Sequence, residues 1–127
     1  DDEVTVTSGA TEALYCAIES LVGPGDEALC LDPAYDSYDP AIRLAGARPV
    51  HVPLATPGFG IDWGRLRAAI TPRTRLLTLN TPHNPTGAVL SAADMAALER
   101  LVAGTDIALV GDEVYEHMVF DGRRHAS

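Results

Sequence analysis

With 127 residues, 46% of them hydrophobic and 21% charged, the chain has the makings of one globular domain or part of one. Its net charge of -9 argues against a nucleic-acid surface, which needs clustered positive charge, and no apolar run approaches the length of a membrane span. All nine basic residues are arginine, so a mechanism that needs a lysine Schiff base cannot be completed by these residues alone.

In chain order, residues 4–7 alternate valine and threonine and are expected as a strand. Residues 11–22 are expected as a helix with Leu14, Ile18 and Leu21 on one face, stopped by Gly23-Pro24-Gly25. Residues 27–31 form the next expected strand, 37–45 a helix ended by Gly46, and 48–52 a strand followed by a turn-rich stretch over 53–60. Asp62 suits the cap of a short helix over 63–70, and 74–79 read as a strand. Ser91 and Asp94 have the spacing of a capping box, opening a helix that runs to Val102 with Met95, Leu98 and Val102 on one face. Residues 107–111 form a last, apolar strand. Strands alternating with helices imply β-α-β units, hence an α/β fold with a mainly parallel sheet flanked by helices.

Cys16 and Cys30 have no metal-type or redox-type spacing and are expected as two reduced core thiols of a cytoplasmic protein. The chain begins at Asp1 and stops at Ser127 without a terminating element, and is expected to be an internal segment of a longer protein.

In parallel sheets ligands collect outside the carboxyl ends of the strands, so the loops there are where chemistry is sought. Thr7-Ser8-Gly9-Ala10-Thr11 leads into a helix whose first N–H groups and dipole favour an anion, although Ser8 and Thr11 also suit plain helix capping. The loop is neither a dinucleotide nor a nucleoside triphosphate fingerprint. After the second strand, Tyr35 and Tyr38 offer aromatic faces for a flat ring or simply for packing. Asn80-Thr81-Pro82-His83-Asn84-Pro85-Thr86-Gly87 is a stiff loop able to aim the Asn84 amide, with His83 a structural neighbour and not a metal ligand. At the end of the last strand Asp112 carries a carboxylate that needs a partner such as a protonated ring nitrogen, and Tyr115 adds a phenol; a helix cap and a packed tyrosine are the plainer readings. A phosphate cradle, a stacking ring, two donors directed at an oxygen and one carboxylate match the needs of pyridoxal phosphate.

The stretches TSGATEALYCAI, DPAYDSYDPAI, NTPHNPTG and DEVYEH, with Asp112 placed 28 positions after Asn84, resemble the class I/II aminotransferases of pyridoxal-phosphate fold type I, and most of all their methionine and kynurenine branch. The resemblance covers essentially the whole chain. It implies that residues 1–127 are part of the large cofactor-binding domain, with the N-terminal segment, the Schiff-base lysine region beyond Ser127 and the small domain lying outside. It implies that Gly9, Ala10 and Thr11 hold the cofactor phosphate, Tyr35 stacks on the pyridine ring, Asn84 and Tyr115 reach its 3-oxygen, and Asp112 pairs with its nitrogen. It also implies a cis Asn84–Pro85 bond. No catalytic residue in this chain is assigned, and none of the arginines is given the substrate-binding role. The implied activity moves an amino group between an amino acid and a 2-oxo acid, in a cytoplasmic homodimer with no metal, nucleic-acid or membrane partner. The same cofactor cradle also serves carbon–sulfur lyases and the effector domains of certain transcriptional regulators.

Overall fold

The computed structural model describes residues 3–127. Four helices and four strands alternate: α1 (Ala10–Leu21), β1 (Glu27–Asp32), α2 (Tyr38–Leu44), β2 (Arg48–Pro53), α3 (Trp63–Ala69), β3 (Thr74–Asn80), α4 (Ala92–Val102) and β4 (Ala108–Asp112). The strands form one parallel sheet in the order β2-β1-β3-β4. β1 and β3 are central and buried along nearly their whole length, whereas β2 alternates as an edge strand does.

The period of two along a strand divides the core. Ala28 and Cys30 of β1 face α1 and α2, where they pack with Leu14, Ile18, Val22, Tyr38 and Ile42. Leu29 and Leu31 face α3 and α4, where they pack with Leu66, Leu77, Leu98 and Leu101. Burying a leucine side chain is worth about 2 kcal/mol, so these two layers supply most of the cohesion. The chain moves from β1 outward to β2 and then crosses back to β3. The connections leaving β1 and β3 therefore run to opposite faces and part at the carboxyl end of the sheet, which is where a crevice must open.

Helix boundaries follow local chemistry. Asp62 caps α3 by accepting from the Arg65 backbone N–H at 2.9 Å. Ser91 and Asp94 form the expected capping box on α4, each side chain serving the other's backbone. The inward face of α4 is Leu98 and Leu101, with Met95 and Val102 only partly covered. In α1 the line of Leu14 and Ile18 continues to Val22, and Leu21 is left 40% exposed.

The expected strand at residues 4–7 does not form; Val4 and Val6 are exposed and the segment pairs with nothing in the sheet. Alternating β-branched residues favour an extended backbone, but a strand also needs a neighbouring ladder. Cys30 is a core thiol, raised to a pKa of about 11 chiefly by burial. Cys16 is not: it lies on the exposed side of α1, one position beyond the tyrosine that also faces outward. No helix among the described residues is long and apolar enough to cross a membrane.

Candidate cofactor-binding site

At the parting of the loops lies a cleft of about 250 Å³ lined by Ala10, Thr11, Leu14, Tyr35, Asn80, Asn84, Asp112, Val114 and Tyr115. Six of the seven residues expected at the site thus share one cleft, contributed by the start of α1 and by the loops after β1, β3 and β4. Gly9 stands just outside the lining as the N-cap of α1.

The start of α1 differs from the starts of α3 and α4. No side chain caps it. Ser8 and Thr11 do not act as caps; the Ser8 backbone N–H donates instead to the Glu12 carboxylate. Gly9 takes φ 85°, a conformation that side-chain-bearing residues rarely adopt, and the space where a Cβ would stand is open. The first-turn N–H groups of a twelve-residue helix are therefore presented toward the cleft without a protein acceptor built against them, a ready anion seat.

Asp112 ends β4 and is 8% exposed. Its Oδ2 accepts from the Tyr38 hydroxyl at 2.7 Å, and its Oδ1 accepts only a long backbone contact from Val114 at 3.3 Å. The Asp112 side chain thus closes no helix, because the chain continues in turns. Tyr38 is 3% exposed, and burial first, then the Asp112 carboxylate, push its phenol far above the ordinary tyrosine value, so it remains a donor.

The sequence offers Tyr38 only as a stacking or packing aromatic, not as a partner of Asp112, and gives Asn80 no role. The Asn80 amide donates to the Asp112 carbonyl at 2.9 Å and its oxygen accepts from the Asn84 N–H at 2.6 Å. One side chain therefore ties the loop that carries Asn84 to the strand end that carries Asp112. A polar residue closing an apolar strand was the available signal, the same one that pointed to Asp112. The Asn84–Pro85 bond is cis, as expected. His83 is buried, bonded through Nδ1 to the Thr86 hydroxyl at 2.7 Å, and its imidazole is lowered by burial; it braces the loop and does not line the cleft. Away from the cleft, Glu113, Glu116 and His125 bring three potential ligand atoms within 4.8 Å of one another, two of them already joined as the His125–Glu113 pair at 2.8 Å.

Tested against the donor set, a phosphorylated pyridine fits. The cleft offers an anion seat at a helix start, an aromatic side wall in Tyr35, two amides, a phenol and a carboxylate with one oxygen left nearly unengaged. Its volume lies just below the roughly 300–1,000 Å³ of typical small-molecule sites.

The family model for aminotransferases of class I and II matches residues 1–127, and the chain belongs to that family. It is 52% identical to the methionine aminotransferase of Escherichia coli K12 over 127 residues, covering 100% of this chain and 33% of that protein. It is 38% identical over 135 residues to kynurenine–oxoglutarate transaminase 1 of Rattus norvegicus, covering 98% of this chain and 32% of the relative. A crystal structure of an Escherichia coli protein with methionine aminotransferase function superposes with a TM-score of 0.94 at 53% identity, over 97% of this chain and 32% of the other. The chain spans about a third of the length of the curated relatives it matches.

Proposed function

We propose that residues 1–127 are part of the cofactor-binding domain of a pyridoxal-phosphate-dependent aminotransferase that moves an amino group between an amino acid and a 2-oxo acid. The observation that carries this reading is the meeting of Ala10, Thr11, Tyr35, Asn84, Asp112 and Tyr115 around one cleft at the carboxyl end of the sheet.

Each residue then has a task. The α1 N-terminus, with Gly9 freeing the approach, holds the phosphate through backbone N–H groups. Tyr35 flanks the ring. Asn84 and Tyr115 direct donors at its 3-oxygen. Asp112, with Oδ2 engaged by Tyr38, offers Oδ1 to the ring nitrogen and holds a proton there. Pyridoxal phosphate bound in this way supplies an electron sink for the charge left when an amino acid loses its α-proton. This chain has no lysine, so the amine that anchors the cofactor aldehyde and moves that proton has to come from the longer protein. Two finer proposals accompany the reading: a homodimer as the working unit, and a cytoplasmic role in amino-acid metabolism.

The test is a single turnover of the full-length protein, following the ¹⁵N label of an amino acid into a second 2-oxo acid. Asp112→Ala should slow this by about 100- to 1,000-fold with cofactor occupancy retained, the usual worth of a preorganised charge. A fully occupied Asp112→Ala protein at the wild-type rate would remove Asp112 from the mechanism. Pyruvate and ammonia from a cysteine conjugate, without label transfer, would replace aminotransferase by lyase.

A further inference from the structure

Asp112 is a buried carboxylate with one close side-chain donor among the described residues, and that donor is a neutral phenol. The 2.7 Å contact is a close hydroxyl–carboxylate hydrogen bond, and a hydrogen bond from a hydroxyl to an ionised carboxylate is roughly twice as strong as one between neutral groups. By occupying Oδ2 it fixes the rotation of the carboxylate and leaves Oδ1 with only the long contact from the Val114 N–H. The same aromatic ring meets Tyr35 edge to face, with centroids 5.7 Å apart and planes at 79°, an arrangement favoured by ring quadrupoles. Tyr38 itself cannot drift. It opens α2, is 3% exposed, and is packed in the layer with Ile18, Ile42 and Cys30. One rigid side chain therefore braces both the carboxylate at the end of β4 and the aromatic wall in the loop after β1.

We propose that Tyr38 is a positioning residue of the cofactor site, its hydroxyl setting the orientation and charge of Asp112 and its ring setting the angle of Tyr35. This rests on the reading of the cleft as a pyridoxal-phosphate site. The hydroxyl stabilises the ionised carboxylate, because a donor to the charged form favours that form. A proton shared between Asp112 and the pyridine nitrogen is thereby kept on the nitrogen. Without the hydroxyl, the carboxylate competes better for that proton and is free to turn. Tyr38 bonds Asp112 and does not line the cleft, so its removal should change the ring's protonation more than its binding.

The experiment uses the full-length protein reconstituted with pyridoxal phosphate labelled with ¹⁵N in the ring. Tyr38→Phe keeps the packing and the edge-to-face contact and deletes only the donor. The ring-nitrogen resonance at neutral pH should move toward the unprotonated position. The single-turnover rate should fall about tenfold, as for a lost hydrogen bond to a charged group, while the KM for the amino acid changes by less than roughly twofold. Replacing Tyr38 by 3-fluorotyrosine retains every heavy atom of the side chain and makes the phenol a stronger donor, so the resonance should move the opposite way. A wild-type resonance in both proteins overturns the proposal. Asp112→Ala separates the two levels: if it shifts the resonance and the Tyr38 variants do not, only the role of Tyr38 fails. If Asp112→Ala also leaves the resonance in place, the reading of the cleft fails with it.

Discussion

Glu27 and Asp112 are both buried carboxylates, 1% and 8% exposed, at opposite ends of the same sheet, and their surroundings are unlike. Glu27 begins β1 at the amino end. Its Oε1 accepts from Arg48 at 2.7 Å and from Arg73 at 2.8 and 2.5 Å, and its Oε2 accepts from the Thr71 hydroxyl at 2.7 Å. These donors, Arg48 foremost, then Thr71 and Arg73, lower its pKa from 4.5 to about 2. Asp112 ends β4 at the carboxyl end and receives a phenol and one long backbone contact, with no cation beside it among the described residues. Glu27 is saturated by cationic donors, whereas Asp112 is left short of one among the described residues. The helices repeat the contrast: α4 carries a complete capping box, and α1, whose start faces the cleft, carries no side-chain cap. The amino end of the sheet is closed upon itself, and the carboxyl end keeps hydrogen-bonding capacity unused.

Removing each charge in turn from the full-length protein, with stability measured without cofactor, tells the two carboxylates apart. Glu27→Ala should cost about 2 kcal/mol in denaturant unfolding, because it removes the buried carboxylate that accepts from two half-exposed arginines and a threonine. Asp112→Asn should stay within about 1 kcal/mol of wild type, since an amide still accepts from Tyr38 and an undersupplied charge is gone. Equal losses at the two positions would erase the distinction.

Acid acts on Glu27 as well. The folded pKa of Glu27 lies below its unfolded value, so its stabilisation is complete above about pH 4.5 and is lost as the pH falls toward about 2. Denaturation midpoints measured from pH 6 to pH 2 should therefore fall less steeply in Glu27→Gln than in wild type, and a parallel acid limb would show that Glu27 contributes nothing to it. The smallest effects concern the caps. Ser91→Ala should cost about 1 kcal/mol by the loss of the capping box, whereas Ser8→Ala should cost no more than a few tenths of a kcal/mol, since no cap bond is lost. Urea midpoints of the two variants, compared in one buffer, decide this.

The regular elements were legible because their signals are local. Apolar period, a capping residue and a glycine stop fix α3, α4 and the ends of α1 and α2 to within a residue or two. The failure at residues 4–7 has the complementary cause: strand pairing is not local, and a valine–threonine alternation contains no information about whether a neighbouring ladder exists. In the site, Asn84, Asp112 and Tyr35 could be picked out because they close or follow a strand and their chemistry is incongruous with an apolar run. Tyr38 could not, because a tyrosine at the start of an amphipathic helix is indistinguishable from core until Asp112 is seen beside it. Asn80 closes an apolar strand, which marks it as unusual, but its partners are backbone groups of the adjoining loop and of the end of β4, and backbone partners leave no mark on composition to show its task.

The Tyr38–Asp112 bond joins residues 74 positions apart in the chain. β1 and β4 do not touch as neighbours; each is aligned through β3, where Asn80 stands opposite Asp112. Such a contact forms only after two strand pairings have been completed, each of which must first offset the entropy of closing a long loop. A slip of one residue in β4 would send the carboxylate to the opposite face of the sheet, away from Tyr38. The appearance of this single hydrogen bond during refolding therefore reports that the sheet has closed in the correct register, and chains arrested earlier possess helices and strands but a carboxylate that nothing holds in place.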